Sequence, residues 1–70
     1  MGDSKSTYWE CAEAAVIGYL MHRVGDEVSI GEVAENVPAV SDRPQAAMVV
    51  AQLTHERRLV WDGKKLVSVD

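Results

Sequence analysis

The period of the apolar residues changes at Leu59. From Ser41 to Leu59 the chain reads S-D-R-P-Q-A-A-M-V-V-A-Q-L-T-H-E-R-R-L, with apolar residues at helical spacing, whereas Leu59-Val60-Trp61 and Leu66-Val67-Ser68-Val69 are β-rich runs. Between the two runs lies Asp62-Gly63-Lys64-Lys65, and Asp-Gly between such runs is a strong local hairpin signal. A helix must therefore run almost directly into a C-terminal hairpin. Two registers fit. A two-residue turn at Asp62-Gly63 would pair Trp61 with Lys64, and a four-residue loop would pair Trp61 with Leu66 and Val60 with Val67.

The helix before the hairpin has two unlike faces. Ser41 or Asp42 can cap its first amides, and Pro44 fits a first turn, where a missing N–H costs little. At 100° per residue Ala46, Val49, Val50 and Leu53 fall on one side, with Arg57 at the edge. Gln45, Ala47, Met48, Ala51, Gln52, Thr54 and His55 fall on the other. The first set predicts a core face and the second an exposed face with Met48 at its centre.

Seventy residues support one domain with one modest core. Residues 1–6 read as a flexible polar lead and residues 7–70 as the domain. Thr7 and Glu10 form a capping-box pattern before a helix-favouring run to about Val24, with Trp9, Ala12, Val16, Ile17, Leu20 and Val24 along its apolar stripe and Glu13 and Arg23 at the margins. Gly25-Asp26 ends that helix, and Val28-Ser29-Ile30 reads as a short extended piece. Ser29 and Glu32 repeat the capping-box pattern and open a second helix of about two turns, which Pro38 stops.

The order is helix, short strand, helix, turn, helix, hairpin. With S-I-G-E-V-A-E-N-V at the second helix and A-A-M-V-V-A-Q-L-T-H-E-R-R-L-V-W running from the third into a strand, the chain resembles the winged helix-turn-helix domain over about residues 7 to 69. The resemblance implies an α+β fold: a compact winged helix of three helices with a small antiparallel sheet, whose C-terminal hairpin is the wing. It also implies that the third helix is the recognition helix and that the short strand joins the hairpin. The family often places Gly between the third helix and the wing, where this chain has Arg57-Arg58. The winged-helix domains that bind Z-form nucleic acid need Asn and Tyr four residues apart in the third helix. Those places hold Ala47 and Ala51 here, so that activity is not carried over.

Charge separates along the chain. Residues 1–42 carry two basic and eight acidic residues, whereas residues 43–70 carry five basic and three acidic, within a total of −4. An acidic whole argues against an acidic partner, but the basic residues gather in the recognition helix and wing. The expected interface with double-stranded DNA comprises Arg43, Gln45, Met48, Gln52, His55, Arg57, Arg58, Lys64 and Lys65. Gln45, Gln52, Thr54 and His55 would read base edges, Ala47, Ala51 and Met48 would meet thymine methyls, and the cations would neutralise phosphates. This predicts a small transcriptional regulator or regulator subunit.

The alternative is a protein-interaction module, dimerising or acting as an adaptor or inhibitor. It rests on the run Ala46-Ala47-Met48-Val49-Val50-Ala51, six apolar residues in succession, so that the third helix presents apolar surface away from the core. Tyr8, Tyr19 and Met21 on the first helix offer a second face for a homodimer.

No enzyme, metal or cofactor is expected: His22 and His55 are far apart, and there is no Gly-rich phosphate loop, nucleophile signature or paired metal-ligand spacing. The single Cys11 suits a reducing compartment. The absence of a long apolar run or signal-peptide pattern predicts a cytoplasmic protein with no membrane partner.

Overall fold

Three helices and a hairpin follow one another in the computed structural model, which describes residues 7–70; the polar lead at 1–6 lies outside the described residues. Helix α1 spans Thr7–Leu20, α2 Ile30–Asn36 and α3 Arg43–His55, with a 3-10 turn at Pro38–Val40 between α2 and α3. Strands β1 (Leu59–Asp62) and β2 (Lys65–Val69) form the antiparallel C-terminal pair, giving an α+β, winged-helix-like layout.

The expected apolar face of α3 is the centre of the core. Ala46, Val49, Val50 and Leu53 are all buried, and they meet Ala12, Val16 and Leu20 of α1, Val33 and Ala34 of α2, and Leu59 and Leu66 of the hairpin. Burying a Leu or Val side chain contributes about 1.5–3 kcal/mol, so this cluster supplies most of the drive to fold.

Helix α1 ends at Leu20, short of the expected Val24. After Leu20 the backbone bonds tighten to i→i−3, with His22 N–H to the Tyr19 carbonyl (3.1 Å) and Arg23 N–H to the Leu20 carbonyl (2.9 Å). Val24 is exposed rather than in the core, and Glu13 is buried rather than marginal. The sheet claims the segment that follows. Gly25, at φ 95°, reverses the chain and donates its N–H to the Leu66 carbonyl (2.7 Å). Leu66 N–H then bonds the Asp26 carbonyl (3.0 Å), and Val28 N–H bonds that of Lys64 (3.1 Å). The short strand expected at 28–30 is thus a single bridge, Glu27 to Lys65, lying slightly upstream.

Ser29 caps α2 as expected, its Oγ accepting the Glu32 N–H at 3.0 Å. Thr7, by contrast, is already helical, and Asp42 stands at the N-cap of α3 without a side-chain capping bond. Helix α3 ends at His55, before Leu59. Arg57 N–H bonds the Thr54 carbonyl (3.0 Å) and Arg58 N–H reaches back to that of Leu53 (2.9 Å), the paired bonds of a Schellman motif. Arg57 occupies its left-handed position at φ 64°, where glycine is the usual residue. A left-handed side-chain-bearing residue costs roughly 1–2 kcal/mol, which the two hydrogen bonds, at about 0.5–1.5 kcal/mol each, can offset.

The hairpin register combines parts of both expectations. Trp61 faces Leu66, as in the four-residue alternative, but Asp62 also pairs with Lys65, so the loop is Gly63-Lys64. Gly63 has φ 62° and no positive φ occurs at Lys64, which is the type II′ pattern rather than type I′. A bulge then leaves Val67 unpaired, and Val60 faces Ser68.

A charged cluster ties the end of α1 to α2. Glu32, instead of closing the capping box, accepts from Arg23 Nε (2.7 Å) and Nη2 (3.2 Å) and from the Tyr19 hydroxyl (2.5 Å). Arg23 also pairs with Asp26 at 2.9 Å. The Arg23 and Tyr19 hydrogen bonds hold the Glu32 carboxyl below its ordinary pKa, while burial and the adjacent carboxylate push the Tyr19 hydroxyl up.

Two outcomes are expected. Arg57→Gly should stabilise the protein by about 1 kcal/mol, raising Tm by about 4–8 °C for a domain of this size, and thermal unfolding checks it. Because the Glu32 pKa is lowered on folding, its contribution is complete above the ordinary carboxylate range and is lost as pH falls through the lowered value. Acid titration of stability by circular dichroism should be shallower in Glu32→Gln than in the parent.

Candidate nucleic-acid interface

With one face of α3 sealed in the core, the opposite face is left to solvent. Met48 is 60% exposed, Ala51, Thr54 and His55 are exposed, and Gln45, Ala47 and Gln52 are half-buried. A 13-residue helix is about 20 Å long. Arg43 stands at its start and Arg57 and Arg58 just past its end, so cations stand at both ends of the helix. Arg43 and Arg57 are exposed, and Arg58 is half-buried.

Arg43 does not extend freely. Its guanidinium lies across the first turn of α2, where a Cβ built on Gly31 would stand 2.8 Å from Nη2. The missing side chain at Gly31 is what lets the cation approach. Lys64 comes to the start of α2 from the hairpin: with Val28, Ser29, Ile30, Val33, Val50, Trp61 and Gly63 it lines a cleft of about 190 Å³. It also borders an adjoining hollow with Glu27 and Glu32, so the field of this lysine is partly countered by acids. Lys65 is exposed on β2, opposite Asp62.

The polar candidates are more constrained than the sequence suggests. Gln45 Nε2 donates to the Tyr8 hydroxyl, which itself donates to the Ala39 carbonyl at 2.9 Å. Gln52 Nε2 donates to Glu56 Oε2 at 2.9 Å. Either amide would have to exchange its partner to read a base. Thr54 Oγ1 donates to the Val50 carbonyl (2.8 Å) and accepts from Trp61 Nε1 (2.9 Å), which fastens the hairpin to α3. Trp61 is half-buried against the core and so serves as a lid for it.

The structure therefore gathers Gln45, Met48, Gln52 and His55 on one helix with Arg43, Arg57 and Arg58 at its ends, and brings Lys64 to the start of α2. Tyr8 and Glu56, which hold the two glutamines, were not expected at this face; Tyr8 was expected on a separate face of the first helix. Tyr8 lies 37 positions from Gln45 and carries no local signal of that contact, whereas Glu56 at four residues from Gln52 is a readable helical spacing.

Among the described residues no group of three or more His, Cys, Asp or Glu could hold a metal ion, and no helix is long and apolar enough to cross a membrane. Thr54→Val should leave the Trp61 indole N–H without its acceptor and loosen the hairpin, at a cost of about 1 kcal/mol. A shifted Trp61 indole NMR signal together with a lowered denaturation midpoint would check it. Comparison with protein-family models, curated proteins and solved structures finds no match to this chain.

Proposed function

We propose that this domain is a winged-helix DNA-binding module without enzymatic activity, acting in the cytoplasm as a small transcriptional regulator or regulator subunit. Helix α3 enters the major groove and the hairpin grips the backbone. The observation that carries this reading is the exposed face of α3 on a helix with Arg43 at one end and Arg57 and Arg58 at the other. Phosphate contacts position such a helix and base contacts specify the site. With Gln45 and Gln52 held by Tyr8 and Glu56, direct readout falls chiefly to Met48, Ala47, Ala51 and His55. Binding is then dominated by charge, sensitive to salt and modest in sequence discrimination.

A second reading, a protein-binding module, is favoured by the 60% exposure of Met48 at the centre of the same face. An amide NMR titration with a mixed-sequence duplex separates the two, run at low salt and again at about 0.2 M, where the Debye length falls below about 8 Å. Shifts at residues 43–58 and 62–65 that fade with salt support the DNA reading. No shifts at low salt would overturn it in favour of a protein partner. Replacing Lys64 and Lys65 together by Ala should weaken binding to all sequences and reduce the slope of log K against log salt by about 2.

A further inference from the structure

Strand β2 is paired on one side with β1 and on the other with the Glu27 bridge, whereas among the described residues no strand lies along the outer edge of β1. The direction of the β1 backbone groups can be read from both ends. The Arg58 carbonyl accepts from the Asp70 N–H at 2.8 Å and so faces β2. Asp62 closes the two-residue loop opposite Lys65 and faces β2 as well. Alternate residues of an antiparallel ladder turn their N–H and C=O to opposite edges. The bulge residue, Val67, lies on β2, so this alternation is unbroken along β1. Leu59 and Trp61 therefore present their N–H and C=O groups to the open edge.

The side chains of residues 58, 60 and 62 lie on the outer face, opposite the buried Leu59. Val60 is 46% exposed and Val67, on the neighbouring strand, is 47% exposed. Neither Arg58 nor Asp62 makes an ion pair among the described residues.

We infer that β1 is the contact between two copies of this chain, pairing antiparallel with itself about a two-fold axis at Val60. An outward-facing residue can pair only with another outward-facing residue, which leaves three registers. Leu59 opposite Leu59 or Trp61 opposite Trp61 shortens the ladder, and the latter also sets Arg58 opposite Lys64. Leu59 opposite Trp61 overlaps the whole strand. It sets Val60 against Val60 and Arg58 against Asp62 of the second copy, twice by symmetry, in the close non-hydrogen-bonded positions where cross-strand side chains interact most. Arg58-Val60-Asp62 is thus self-complementary in charge and shape, and Val67 extends the apolar strip on each side. The ladder is short, so the association is weak and depends on concentration. This contact does not rest on the DNA reading.

The test uses the full chain in sedimentation equilibrium across a concentration series, with amide hydrogen exchange of Leu59 and Trp61. The parent should dimerise, and exchange at those two amides should slow as concentration rises. Arg58→Asp should weaken the dimer at least about tenfold by placing like charges opposite each other, and Arg58→Asp with Asp62→Arg should restore it. Val60→Lys, at an exposed position whose folding circular dichroism can verify, should abolish the dimer. A chain that stays monomeric to about millimolar concentration, where even a contact of roughly 4 kcal/mol would populate the dimer, overturns the inference. So does a dimer indifferent to Arg58→Asp and Val60→Lys with unchanged exchange at Leu59 and Trp61, which would place the contact elsewhere, such as the Met48 face of α3.

Discussion

The fold depends on covering one side of α3. Ala46, Val49, Val50 and Leu53 must leave water together, and no single neighbour in so short a chain is broad enough to cover them. Helix α1 supplies Ala12, Val16 and Leu20, α2 supplies Val33 and Ala34, and the hairpin closes the remainder with Leu59 and Leu66. Because small β-branched and alanine side chains dominate this cluster, the elements pack close to α3. The same geometry leaves its other side uncovered, so the candidate interface is a consequence of how the core is built.

The corner between α3 and the hairpin decides where that face points relative to the sheet. The chain must reverse within three residues, and Arg57 accepts the left-handed conformation in a position where glycine is the usual residue. The Schellman bonds on either side hold it there, and Thr54, gripping Trp61, fixes the strand that follows. At the far end of the sheet Gly25 and Gly63 take positive φ with no side chain to oppose it. Backbone strain is thus concentrated at the one corner that carries a charged side chain.

Electrostatics divide the molecule less cleanly than the linear charge pattern implies. The basic second half of the sequence is interleaved in space with the acidic first half: Lys64 lies by Glu27 and Glu32, and Arg43 lies over α2. Arg23, the one basic residue among the described part of the first half, is consumed by Glu32 and Asp26. What remains for a partner is the bracket of cations around α3 rather than a broad basic surface.

The helices, their order, the core face of α3 and the presence of a hairpin were legible in the amino-acid sequence, because each rests on periodicity or on turn chemistry within a few residues. Ser29 at the cap of α2 and the Met48 face of α3 were legible for the same reason. Features that depend on distant partners came only with tertiary packing. Helix α1 ends at Leu20 because the sheet takes Gly25 and Asp26, and the hairpin register settles on Gly63-Lys64, where the Leu66 side chain is buried and the backbone of Leu66 and Lys64 bonds the 25–28 segment. The hold of Tyr8 on Gln45 and of Glu32 on Arg23 and Tyr19 likewise joins residues that only packing brings together, since nothing in local spacing distinguishes a side chain that will find such a partner from one that stays in water.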